Sequence, residues 1–128
     1  MSSSESIAAT ALTVPSVAQT QVPSILIDNA RLNACLGEAR HRFSITALAE
    51  CPSTSTLLLA CSAQGAPSGS VIVCDRQTAG RGRRGRSFFS PPGTGLYMSL
   101  ILRPLIELER FQAVTIAAAV AVCRTIES

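Results

Sequence analysis

The segment Gln77–Ser99, QTAGRGRRGRSFFSPPGTGLYMS, carries the residues with the clearest chemical capacity. Four arginines (Arg81, Arg83, Arg84 and Arg86) alternate with Gly80, Gly82 and Gly85. Glycine tolerates backbone angles closed to other residues and lets a ligand approach exposed N–H groups. Arginine adds fixed, permanently charged donors that grip a carboxylate or phosphate in bidentate fashion. A loop of this composition suits a small anion. The same composition occurs in nucleic-acid-binding arms that fold on contact, and in solvated surface loops.

The flanking residues argue against a floppy arm. Ser70–Cys74, SVIVC, is a short β-branched run of the kind found in buried strands. After the loop, Leu96, Met98, Leu100 and Leu102 alternate with Tyr97, Ser99, Ile101 and Arg103, and Pro104 follows. This period-two pattern predicts a strand from Gly95 to Arg103. A loop pinned between two strands is an ordered site.

Further elements must position that loop. Asp28 can cap a short helix in which Leu32, Cys35 and Leu36 share one face, with Gly37 near its end. Phe43–Ala47 alternates as a strand does. Ser53 and Thr54, after Pro52, cap a helix through Leu57–Leu59 to about Gln64, where Gly65 stops it. A last helix runs from about Glu107 to the end and is apolar nearly all round, with Leu108, Phe111, Ile116, Val120, Cys123 and Ile126 among alanines. Its uncharged run, Phe111–Cys123, is too short for a bilayer, which predicts a buried core helix cut in mid-course at Ser128. Residues 1–24 carry one charge, Glu5, and read as a disordered or loosely packed tail ahead of a domain at 25–128. The element order indicates an α/β (α+β) fold, a mixed sheet with packed helices.

Composition narrows the class. A chain of 128 residues accommodates one modest domain, and 47% apolar against 15% charged residues supplies a core. The formal charge is only +3, yet four of the eleven basic residues fall within positions 81–86, which marks a local anion site. All eleven are arginine. Five cysteines form no Cys-x-x-Cys pair and His41 is the single histidine, so no zinc ligand set exists and no metal site is expected. Cys74 and Cys123 read as small buried hydrophobes. No basic stretch precedes an apolar run at the N-terminus, and a reduced, intracellular, cytoplasmic protein is expected.

The run Gln77–Ser99 closely resembles the ligand-binding loop of biotin protein ligases, and the resemblance extends over roughly Asp28 to Ser128. It implies a biotin/lipoate protein ligase-like catalytic domain. Cys51–Ser55 is similar to the family's Ser-Thr-Asn signature, with Ser55 where asparagine is usual. By that resemblance Ser53, Thr54, Ser55, Gln77, Gly80, Arg81, Gly82 and Arg83 bind biotin, although Ser53 also serves as a plain helix cap. Arg81, Arg83, Arg84, Arg86 and Phe88 fall at adenylate or phosphate positions, with Phe88 where tryptophan is usual, and Arg83 takes the catalytic role. Tyr97 and Ser99 line the pocket or pack the sheet.

The resemblance further implies ATP-dependent activation of biotin to biotinyl-5'-AMP and transfer to a lysine of the biotin carboxyl carrier protein of acetyl-CoA carboxylase. Biotin and ATP are then substrates, with Mg2+ accompanying the nucleotide. The family's Lys-Trp-Pro-Asn segment falls beyond the last helix, so the chain reads as an incomplete, truncated front part that is inactive alone. No helix-turn-helix precedes it, and a repressor role is not supported. Two alternatives stay open: a lipoate or octanoate transferase relative, whose branch lacks this loop, and an Arg-Gly nucleic-acid-binding module.

Overall fold

A computed structural model describes residues 28–128, so the expected tail at 1–24 and the domain start near Ile25 lie outside the described residues. Six principal elements follow in order: α1 Asn29–Leu36, β1 Ser44–Cys51, α2 Thr54–Ala63, β2 Ser70–Gln77, β3 Tyr97–Leu100 and α3 Phe111–Glu127. Short 3-10 turns occupy Gly37–His41, Arg83–Gly85 and Leu108–Arg110. The starts of both early helices follow from their caps. Asp28 Oδ1 accepts the N–H of Ala30 at 3.0 Å, and Ser53 Oγ accepts that of Thr56 at 3.4 Å. α1 ends at Gly37, whose φ of +52° suits glycine.

The sheet is mixed, in the order β1-β2-β3, with β1 parallel and β3 antiparallel to β2. Parallel neighbours need a crossover, and α2 supplies it. β2 is the central strand, which explains its unbroken apolar run: Val71, Ile72, Val73 and Cys74 are all buried. α2 lays Leu57, Leu58 and Cys61 on one sheet face, against Cys51, Ile72, Cys74 and Ile101. This fold is the expected α/β class.

Several sequence expectations need correction. β1 continues to Cys51, past the alternation at Phe43–Ala47, because pairing with β2 persists through Cys51↔Gln77. β3 is limited to Tyr97–Leu100, shorter than the expected Gly95–Arg103, since its ladder with β2 covers only those residues. Ile101, just past β3, lies in the core, while Met98 on the strand and Leu96 and Leu102 beside it are exposed.

α3 is not a buried core helix. Ile116, Val120 and Ile126 are 66%, 47% and 80% exposed, and Cys123 is exposed as well. An apolar surface gives a helix the capacity for burial, but no residue of this one is buried. No described helix is long and apolar enough to cross a membrane.

Candidate functional site

The Gly/Arg loop leaves the end of the central strand and folds back in two tiers. At its base, the Gln77 N–H donates to the Ser90 carbonyl at 3.2 Å, and the N–H groups of Thr78 and Ala79 donate to the carbonyls of Cys51 and Pro52. These bonds dock the loop on the β1–α2 connection. In the upper tier, Phe88 N–H reaches Gly80 O and Gly82 N–H reaches Arg86 O, both at 2.7 Å, and Arg81 bridges Ser87. The tip reverses through Arg84 (φ 58°) and Gly85 (φ 73°). An arginine in the left-handed region is uncommon and is held here by the turn around it.

Gly80 is required by space. A Cβ at that position would lie 2.6 Å from the Phe88 carbonyl oxygen and 2.8 Å from Ser90 Oγ. The two sides of the loop approach this closely only because no side chain stands between them.

A hydrogen-bond relay runs beneath the loop and joins it to the N-terminus of α2. Gln77 Oε1 accepts the Thr54 N–H at 2.9 Å and the Thr54 hydroxyl at 3.2 Å. Gln77 Nε2 donates to Ser90 Oγ at 3.1 Å, and Ser90 Oγ donates to the Phe88 carbonyl at 3.2 Å. On the other side, Thr54 Oγ1 lies 2.9 Å from Ser99 Oγ on β3. Three of the hydroxyl residues are well placed for strong bonds out of water: Ser53, Thr54 and Ser90 are all buried. Tyr97 ties down the far end of the loop, its hydroxyl bonding to Pro91 O at 3.1 Å and Thr94 Oγ1 at 3.0 Å.

The charge stands above this relay. Arg81, Arg83, Arg84 and Arg86 are exposed, and among the described residues none of them meets a carboxylate. The described ion pair joins Arg76 to Glu50 at 2.9 Å, on the exposed end of β1–β2. A cleft of about 450 Å³ opens beside the loop, lined by Gln77, Gly80, Phe88, Ser90 and Pro91 among others. Hydrogen-bonding groups and an aromatic ring therefore line one cleft, on the two segments that flank the arginine tip. Below it, the Cys74 side chain and burial push the Cys51 thiol far above its ordinary range. Cys74 donates to the Arg76 carbonyl at 2.6 Å.

A parallel strand–helix–strand unit ending in this loop is accompanied by a match over residues 48–128 to the biotin/lipoate A/B protein ligase family. The chain belongs to that family. It is similar to the bifunctional ligase/repressor BirA of Bacillus spizizenii, 52% identical over 63 residues, which are 49% of this chain and 19% of that protein. The protein of the same name from Bacillus subtilis is 53% identical over 62 residues, 48% of this chain and 19% of the relative. That from Escherichia coli is 53% identical over 36 residues, 28% of this chain and 11% of the relative. The matched stretch thus spans about a fifth or less of these relatives.

Within this ligase-family domain the residues expected at the site divide into two groups. Thr54, Gln77 and Gly80 come together with the loop base, and Arg81, Gly82 and Arg83 follow in the upper tier and tip. Ser53 is the buried cap of α2, its Oγ turned to Thr56 N–H. Ser55 is exposed and lines a separate groove with Leu58, Leu59 and Leu100. Phe88 is 57% exposed, so it fills no core space. No cluster of three or more metal-ligating side chains occurs among the described residues. The sequence reading missed Ser90, which carries no signal beyond its place before Pro91–Pro92.

Proposed function

We propose that this chain forms the loop-bearing part of a biotin ligase catalytic domain. In this reading, biotin and ATP react to biotinyl-5'-AMP, and the biotinyl group passes to a lysine of a biotin carboxyl carrier protein. The observation that carries the reading is the two-tiered arginine loop, clasped to the Thr54–Gln77 pair and holding guanidinium groups that no described carboxylate neutralises.

The chemistry explains why such groups are needed. The biotin carboxylate must attack the α-phosphate of ATP, and the two anions repel. Fixed guanidinium charges offset that repulsion and stabilise the charge that develops in transfer. Arg81 and Arg83 are assigned to biotin and the adenylate, Arg83 with the catalytic role, and Arg84, Arg86 and Phe88 to the adenylate or phosphates. Ser53, Thr54, Ser55, Gln77, Gly80 and Gly82 are assigned to the biotin side. An ordered loop over the mixed anhydride excludes water until the carrier lysine arrives. Mg2+ is assigned to the nucleotide as part of that substrate.

The 128 residues contain no lysine. They are therefore proposed to bind ligand without forming the adenylate at an appreciable rate by themselves. Calorimetric titration of the chain with biotin, lipoate and a single-stranded RNA tests the reading. Binding of biotin alone supports it. Preference for lipoate, or salt-sensitive RNA binding without biotin binding, overturns it in favour of the corresponding alternative.

A further inference from the structure

We infer that Ser90 is a positioning residue that fixes Gln77 as a one-way donor toward the ligand, a role that rests on the biotin-site reading above. Donors and acceptors fix the orientation of the Gln77 amide from both ends. The Thr54 N–H is an obligate donor, so the side-chain atom facing it at 2.9 Å must be the Gln77 carbonyl oxygen. That oxygen also takes the Thr54 hydroxyl at 3.2 Å, which uses both of its lone pairs. With the Thr54 proton on Gln77, Ser99 is the donor of the 2.9 Å contact between the two hydroxyls, although the geometry of that contact suits either direction. At the other end, the Phe88 carbonyl can only accept, so the Ser90 hydroxyl proton is committed to it at 3.2 Å. Ser90 Oγ is then left as an acceptor for Gln77 Nε2 at 3.1 Å. Both ends of the amide agree on one orientation.

The consequence concerns what Gln77 can offer. Its carbonyl is fully occupied by the protein, and one of its two Nε2 hydrogens goes to Ser90. A single N–H remains. Sequence alone allows this amide to donate and accept; the relay leaves it a donor, suited to a ligand oxygen and unable to receive a ligand N–H. Ser90 is 1% exposed and takes its place through Gln77 Nε2 and the Phe88 carbonyl. It also links this orientation to the loop, because Phe88 N–H bonds Gly80 O in the upper tier.

Two measurements on the 128-residue chain test this. The first is independent of any ligand: the Gln77 side-chain amide, observed by 15N NMR, is expected to show one slowly exchanging proton. That protection is expected to vanish in Ser90→Ala and in Ser90→Cys, which keeps a side chain of the same shape, slightly larger, but bonds weakly. The second is a double-mutant cycle on biotin affinity. Ser90→Cys and Gln77→Ala are each expected to weaken binding about tenfold, the loss of roughly one hydrogen bond. Combined, they are expected to weaken it no further than Gln77→Ala alone. Additive losses would show that Ser90 acts on its own, and an unprotected Gln77 amide in the wild type would show that it is not held; either result overturns the assignment. Failure of the wild type to bind biotin would instead strike the biotin reading, while the amide measurement still decides the role of Ser90.

Discussion

Thr54 and Gln77, from separate elements, share one oxygen: Gln77 Oε1 receives both the N–H and the hydroxyl of Thr54, at 2.9 and 3.2 Å. The first turn of α2 has N–H groups without helical partners, and Gln77 satisfies one of them from the end of β2. Gln77→Ala is expected to leave that N–H and Ser90 without their partner. The expected loss is about 1–3 kcal/mol in urea unfolding, larger than for the exposed Thr78→Ala.

Gly80 and Gly85 are expected to differ in kind. Alanine at Gly80 brings its Cβ to 2.6 Å from the Phe88 carbonyl, so the two sides of the loop must part. A loss of about 1–3 kcal/mol, the range for overpacking, is expected with it. Alanine at Gly85 meets open space and incurs only the strain of a φ of 73°, about 1 kcal/mol. Parallel denaturant curves distinguish them.

Arg83 is exposed and meets no described carboxylate, so Arg83→Ala should leave stability within about 0.5 kcal/mol of wild type. Affinity for a non-hydrolysable biotinyl-adenylate analogue should fall about tenfold to a hundredfold, as for one charge-assisted bond. Calorimetry beside a melting curve reads both. Unchanged affinity would make Arg83 a solvated residue.

Cys51 gives the pH dependence. Its thiol is pushed up by the Cys74 side chain and burial, whereas an unfolded cysteine ionises near pH 8.5. The unfolded chain then releases this proton first as pH rises. The stability held by Cys51 is complete below about pH 8.5 and declines above it, by at most about 1.4 kcal/mol per pH unit. Urea unfolding at pH 8.5 and 10, above the range in which the Cys74 thiol, lowered by the bond from Cys51, titrates, should show the decline, and Cys51→Ala should reduce it. In the same samples a thiol reagent should modify exposed Cys35 and Cys123 quickly and Cys51, Cys61 and Cys74 slowly.

α3 predicts the solution behaviour. Ile116, Val120, Val122 and Ile126 are all exposed on it, as are Leu105 and Leu108 ahead of it. The purified chain is expected to bind a hydrophobic dye and to associate as its concentration rises. Sedimentation velocity over a concentration series checks this, and an ideal monomer throughout would contradict it.

Much of the fold was legible because local rules decided it. Asp28 and Ser53 cap the two early helices as their side chains suggest, and SVIVC forms the strand at the sheet centre that its unbroken β-branched run implies. What sequence could not show was set by neighbours. β1 extends to Cys51 only because β2 pairs with it there, and Ile101, just past β3, turns inward against the core to which α2 contributes. α3 has the apolar composition of a core helix, but composition does not supply the surface that would cover it. At the site, residue types pointed to Thr54, Gln77 and the arginines. Ser90 stayed hidden because a buried hydroxyl acquires its meaning from the atoms around it.

The two-tiered clasp also sets the scale of motion. With Gln77 tied to Ser90, Gly80 to Phe88 and Gly82 to Arg86, the span free of cross-strand bonds shrinks from residues 78–89 to the tip at 83–85. Each residue fixed from a mobile state forfeits about 1–2 kcal/mol of backbone entropy. A guest arriving at the rim thus meets a jaw already hinged and nearly shut, and only its tip remains to be stilled.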